Sequence, residues 1–149
     1  MSDYILSIGV YGDGEDPNHR SHWGFLIFSP GMKFGNRLHV QLISLKGLIY
    51  QFETQSGYRL ESQSCEGRVF LGYIKSTKYN QVVKIISEEP APRNNKDRCQ
   101  DWVLECVIAL EAEELLPAGT SSWVEGIVGK PMKDVAAAVG GKWAGARRK

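Results

Sequence analysis

The hydrophobic pattern of this chain changes period near residue 77, and that change limits what it can fold into. Before it, apolar residues come in short runs of strand length, divided by turns rich in Gly, Pro and Asp; after it, they recur at helical spacing. "YILSIGVYG" (4–12) is apolar and β-branched and runs into "GDGEDPNHRS". "HWGFLIFS" (22–29) is a continuous apolar run closed by "PGMKFGN", the pattern of a strand buried on both faces. "RLHVQLIS" (37–44) alternates, with Leu38, Val40 and Leu42 on one face and His39, Gln41 and Ile43 on the other. "GLIYQFETQ" (47–55), "GYRLESQ" and "GRVFLGYIKS" (67–76) supply a fourth, a fifth and a sixth strand. Helices follow. "KYNQVVKIISEE" (78–89) is stopped by "PAP", and "RNNKD" then offers Asn95 and Asp97 as N-caps. The longest helix runs from Arg98 to Leu116, with Cys99, Trp102, Val103, Cys106 and Leu110 on one face, and ends at Pro117 and Gly119. "TSSWVEGIVG" and "KPMKDVAAAVGG" are shorter helices, the second with Pro131 where a helix start tolerates it. Strands followed by helices predict an α+β fold: an antiparallel sheet of about five to six strands with helices packed on one side.

The 149 residues suit one domain with a sizeable core, and 42% hydrophobic with 23% charged residues is an ordinary globular balance. No run reaches the ~20 apolar residues a membrane helix needs, so no membrane partner is expected. The N-terminus carries Asp3 at once and lacks a basic region, so it reads as a first strand and not a signal peptide. Cys65, Cys99 and Cys106 are too few, and odd in number, for a disulfide framework; they point to a reducing, cytoplasmic location. There is no C-x-x-C pair, and His19, His22 and His39 lack zinc-finger spacing, so no metal or other cofactor is expected, although His19 and His22 stand at i, i+3. From Lys130 onward there are six basic residues and one acid, leaving 12 basic and 16 acidic residues before that point. We therefore expect one domain over residues 1–139 and a basic tail over 140–149, either solvated or in contact with nucleic acid.

Few side chains here can do nucleophilic or acid–base work near neutral pH. Cys99 is the best placed, because the N–H groups and dipole at a helix start favour a thiolate and can hold an oxyanion beside it. Cys106 lies two turns further in, and Cys65 sits in a polar turn without an evident base. A thiol nucleophile needs a base within hydrogen-bond reach and an orienting partner for that base. His22 opens a central strand and His39 lies on the next, so antiparallel pairing can bring both imidazoles to one sheet face. A helix packed on that face would bring Cys99 to them. The plainer alternative is a cysteine that packs as a small core residue, with histidines satisfied inside strands.

The ordered set of segments "HWGFLIF", "LHV" and "CQDWV" resembles a circularly permuted papain-like (NlpC-type) domain, of the kind seen in lecithin retinol acyltransferase and its relatives. The whole chain is more closely similar to a fungal family of small proteins long labelled as having unknown function. That likeness rests on Tyr4 to Tyr11, His22-Trp23 to Pro30, Gly35 to His39-Val40, Leu71 to Ile74, and Cys99-Gln100 with Trp102. The resemblance implies Cys99 as nucleophile, His22 as base and His39 as orienter, with Gln100 after the nucleophile, where it assists an oxyanion or packs. Trp23, Gln100, Glu53 and Asp101 are the expected substrate-binding residues; for an arginine side chain, Glu53, Asp97, Asp101 and Glu105 are candidate carboxylates. The implied chemistry is acyl transfer through a thioester on Cys99. Similarity to fungal proteins that make arginine-containing cyclodipeptides implies aminoacyl-tRNA as donor, held through the basic C-terminus, and a small peptide or amino-acid substrate. The alternatives are a papain-like thiol amidase or peptidase, and a catalytically silent binding module of the same fold.

Overall fold

The structure, a computed structural model, describes residues 3–16, 18–62 and 64–145. The strands are β1 (Tyr4–Tyr11), β2 (His22–Phe28), β3 (Phe34–Ser44), β4 (Ile49–Arg59), β5 (Cys65–Ile74) and β6 (Trp143–Gly145). The helices are α1 (Tyr79–Glu88), α2 (Cys99–Ala112), α3 (Thr120–Glu125) and α4 (Met132–Val139). All strands join one antiparallel sheet in the order β4-β3-β2-β1-β5-β6. The fold is α+β, as the change of period requires.

Two stretches differ from the sequence reading. The expected fourth and fifth strands are one strand, β4, which passes through Gly57 at φ +63. Left-handed backbone at that point suits glycine and lets the strand bend without ending. The expected tail begins later than residue 140. Gly140–Lys142 form a 3₁₀ turn and Trp143–Gly145 pair with β5 as its edge strand. The Trp143 indole lies over Gly67, where a Cβ would have no room. Arg147, Arg148 and Lys149 lie outside the described residues.

Alternation along the strands sorts the sheet into two unlike faces. Leu6, Ile8 and Val10 of β1, Trp23, Phe25 and Ile27 of β2, and Leu38 and Val40 of β3 belong to the main core, shared with Trp102, Val103, Cys106 and Leu110 of α2. The other face carries a small cluster of Leu26, Phe28 and Leu60. This second face is concave. A flat sheet would hold β4 and β1 three spacings of about 4.8 Å apart. Instead the Tyr58 ring of β4 stands 6.4 Å from the Tyr11 ring of β1. The end of β4 thus curls over the sheet before the chain crosses to β5. Among the described residues, no helix is long and apolar enough to cross a membrane.

Candidate functional site

The start of α2 is fixed from several directions. Arg98 is the N-cap, and its backbone N–H donates to Asp101 Oδ2 at 2.8 Å, the reciprocal arm of a capping box. Neither Asn95 nor Asp97 caps the helix; Asp97 instead accepts from Asn94 Nδ2 at 2.8 Å. Gln100, fully buried, uses its whole amide as a clasp. Its Nε2 donates to the Ser21 carbonyl at 2.9 Å, and its Oε1 accepts from the Gly129 N–H at 2.7 Å. This ties α2 to the residue before β2 and to the turn after α3.

Cys99 is the first residue of α2 and is 8% exposed. Burial pushes its thiol above the ordinary cysteine range; N–H groups of Trp23 and Gln100 beside the sulfur pull the other way and do not win. The expectation of a lowered Cys99 pKa is therefore corrected: the dipole of a helix start is outweighed by the apolar surroundings. Cys106 is pushed up in the same way by burial, and Cys65 by burial at the start of β5. The Trp23 N–H lies beyond the last paired residues of the β2–β3 ladder, which spans Phe25–Ile27 against Leu38–Asn36. Next to Cys99 stands the Tyr50 hydroxyl, itself pushed up by burial and by the thiol.

The histidines meet on the concave face. His39 lies opposite Gly24, where a Cβ would stand 2.8 Å from His39 Cβ, so glycine there lets the imidazole lie across β2 toward His22. His22 Nε2 and His39 Nδ1 are 2.9 Å apart, and His39 Nε2 is 2.8 Å from Glu53 Oε1. A hydrogen-bonded chain thus runs from Glu53, whose side chain is 43% exposed, through buried His39 to half-buried His22. Desolvation, with the neighbouring His39 and the Arg37 charge, pulls His22 down to about 3. Burial also lowers His39, against the hydrogen bond that it donates to Glu53, which raises it. Both rings are neutral at pH 7.

Sequence reasoning did not single out Arg37, Gln55 or Tyr58 on this face. Arg37 Nη2 lies over the His39 ring, 2.9 Å from Nδ1 and 3.4 Å from Nε2, and Nη1 donates to the Tyr58 hydroxyl at 2.7 Å. Its guanidinium lies over the Tyr11 ring at 4.6 Å and the Tyr58 ring at 4.7 Å. Arg37 Nε and Gln55 Oε1, on residues paired across β3 and β4, are buried and unpaired. Arg37 stands at i−2 from His39, and the alternation of β3 already put the two on one face.

The expected site is therefore brought together in part. His22, His39 and Glu53 meet. Cys99 does not join them: α2 packs against the Trp23 and Val40 face, and the imidazoles issue from the other. Among the described residues no hydrogen bond joins the Cys99 sulfur to either imidazole; its polar neighbours are backbone N–H groups and the Tyr50 hydroxyl. The assumption that a helix over the histidine face delivers Cys99 is corrected by strand parity. Trp23 is fully buried in the core, and Asp101 is occupied by the helix cap. Among the described residues no cluster of three or more His, Cys, Asp or Glu side chains is arranged to hold a metal ion.

Fold and site together define an α+β protein whose single sheet separates an apolar, helix-covered face from a concave face bearing a buried polar relay. The chain belongs to a family of unknown function (DUF6540), whose model matches residues 8–117, from β1 to just past α2. No curated protein and no solved structure matches it.

Proposed function

We propose that the protein is a cysteine-dependent acyl-transfer enzyme, with Cys99 carrying the acyl group and His22 acting as base. The observation that supports this reading is the Glu53–His39–His22 chain, which orients one imidazole at the backbone step whose next N–H, that of Trp23, lies beside the Cys99 sulfur. In the resting state the thiol is neutral and turned toward the helix side. Catalysis requires a rotation that brings sulfur and imidazole to the same side of β2. His22 then takes the thiol proton, the sulfur attacks the acyl carbon, and the leaving atom, oxygen of an ester or nitrogen of an amide, departs with the proton from His22. A second nucleophile, amine or water, releases the acyl group. The resemblance to cyclodipeptide-forming fungal proteins favours aminoacyl-tRNA as the acyl donor and an amino acid as acceptor; hydrolysis by water gives the amidase or peptidase version.

A second reading is favoured by one specific observation. Cys99 and the imidazoles issue from opposite faces, the arrangement expected of a catalytically silent binding module. One experiment separates the two. The protein is incubated with arginine, its tRNA synthetase, ATP and tRNA, and intact mass and small-molecule products are read by mass spectrometry. An acyl adduct that disappears in Cys99→Ala, with a cyclic dipeptide released, supports the transferase. An adduct that only hydrolyses supports the thiol hydrolase. A product formed equally by Cys99→Ala removes Cys99 from the mechanism.

A further inference from the structure

We propose that the turn between β3 and β4 docks the protein onto an anionic lipid surface, as a peripheral and not a spanning contact. The reasoning starts from strand length. β3 and β4 have eleven residues each, against eight in β1 and seven in β2. The β2–β3 ladder ends at Leu38, yet β3 pairs with β4 as far as Ser44 and Ile49. The far end of this hairpin therefore runs past the start of β2, and no residue from Gln41 to Ile49 is buried. Its side chains are nonetheless apolar. Of the seven large hydrophobic side chains exposed among the described residues, Leu42, Ile43 and Leu45 fall within four consecutive positions. Ile43 is 54% exposed and Leu45, in the turn, 79%. Single exposed leucines are ordinary; three such side chains together at a projecting end are not. Leu48 turns back onto the main core, and the Tyr50 N–H donates to the Pro92 carbonyl at 3.0 Å, so the hairpin is anchored at its base.

Charge decides what this end meets. The turn carries Lys46, and the bond to Pro92 sets the segment 90–98 beside the base of the hairpin, with Arg93, Lys96 and Arg98 all exposed. Residues 41–50 and 90–98 together hold these four cations and one acid, Asp97, whereas the chain before Lys130 has more acids than bases. Of the flanking acids, Glu53 is bonded to His39, Asp101 is taken by the helix cap and Glu89 is half-buried, which leaves Glu88 exposed. A convex apolar end beside a group of cations suits a bilayer. Leucine and isoleucine enter the acyl boundary while lysine and arginine stay at the phosphates. The three residues from Leu42 to Leu45 span about 10 Å, the depth to which interfacial segments are buried. A protein partner would need a pocket shaped for Leu45; a bilayer parts around it. The expectation of no membrane partner followed from the lack of a spanning run, and a surface contact needs none. The docking goes beyond the acyl-transfer reading and does not depend on it.

The test is sedimentation of the full chain with vesicles of phosphatidylcholine, alone and with about one-quarter phosphatidylserine. The expected result is partition onto the anionic vesicles that weakens with salt. Ile43→Ser and Leu45→Ser should each lower it about tenfold. Arg93→Gln and Lys96→Gln should each lower it about fivefold. All four side chains are exposed, so the variants should keep the urea midpoint of the unsubstituted protein. Ile108→Ser, which removes an exposed apolar side chain of α2, should leave partition unchanged. In Leu45→Trp, lipids brominated in the acyl chain should quench the added indole. No binding to the anionic vesicles overturns the proposal and leaves the apolar end to a protein partner. Binding that both serine variants retain also overturns it, because the contact then lies at cations elsewhere. An equal loss in Ile108→Ser, or an unquenched Leu45→Trp, does the same. None of these outcomes bears on the mass-spectrometric assay of acyl transfer.

Discussion

The two faces of the sheet solve burial differently. The helix-covered face holds few polar side chains: Gln100 has both ends of its amide paired, while the buried Trp23 Nε1 has no partner. The concave face gathers buried Tyr11 and His39 with half-buried Arg37, His22 and Tyr58 in one hydrogen-bonded and stacked group, and leaves Arg37 Nε and Gln55 Oε1 unpaired. Buried polar groups without partners cost stability, and the concave face, with its chain of titratable and charged side chains, carries more of that cost than the apolar helix face.

That division can be broken by substitution. The largest expected effect is Trp102→Ala on the helix face. Its side chain packs against Phe25 at 5.7 Å and Phe52 at 5.9 Å between ring centroids. Its loss should cost about 3–5 kcal/mol in urea unfolding; a loss near zero would mean that the core lies elsewhere. Acid is the next probe, and it acts on the concave face. His22 has a folded pKa of about 3, below the ~6.5 of the unfolded chain. Between these values the unfolded state binds the extra proton. The His22 contribution is thus complete above ~6.5 and declines as pH falls toward 3, by roughly 1.4 kcal/mol per pH unit. Urea midpoints measured from pH 7 to pH 4 should fall less steeply in His22→Gln; parallel curves would refute a neutral, buried His22.

Two smaller effects sharpen the contrast. Gln100→Ala removes two buried hydrogen bonds and strands the Gly129 N–H, which should cost about 2 kcal/mol with the imidazole NMR signals of His22 and His39 unaltered. Movement of those signals would couple the two faces. Last, thiol labelling with a disulfide reagent at pH 7 should be slow at all three cysteines. Cys99, at 8% exposure, should lead Cys65 and Cys106, which are fully buried. Labelling of Cys99 as fast as in the unfolded chain would reverse the pKa direction found for it.

How much of this could be read from the chain varies with how much each residue's neighbours say about it. Strands β1, β2, β3 and β5, the four helices and the meeting of His22 with His39 were legible, because period and apolar runs carry them, whereas β4 was divided in two and β6 was taken for tail. The side of the sheet was legible in β3 alone. Leu38 and Val40 alternate with Arg37 and His39, so an apolar helix must cover the first pair and leave the second on the far face. In β2 the run is apolar throughout and hides its parity; only the register with β1, with Tyr11 opposite His22, reveals it. The low thiol pKa expected at the helix start failed for a different reason. The dipole acts through local backbone geometry, which sequence conveys, whereas desolvation depends on what packs over the sulfur. Tyr58 joined the site only through the curl of β4 over the sheet, a property of the whole sheet and not of any segment.

The strand order also has a consequence for synthesis. β1 lies inside the sheet, between β2 and β5. As the chain leaves the ribosome, β1 to β4 can pair as successive hairpins, but one edge of β1 stays open until residue 74 has emerged. For that interval the apolar Leu6, Ile8 and Val10 belong to a sheet with an unprotected edge and no helix to cover it. Helices α1 and α2 follow β5 directly, so the dangerous interval closes with the next stretch of chain to be made.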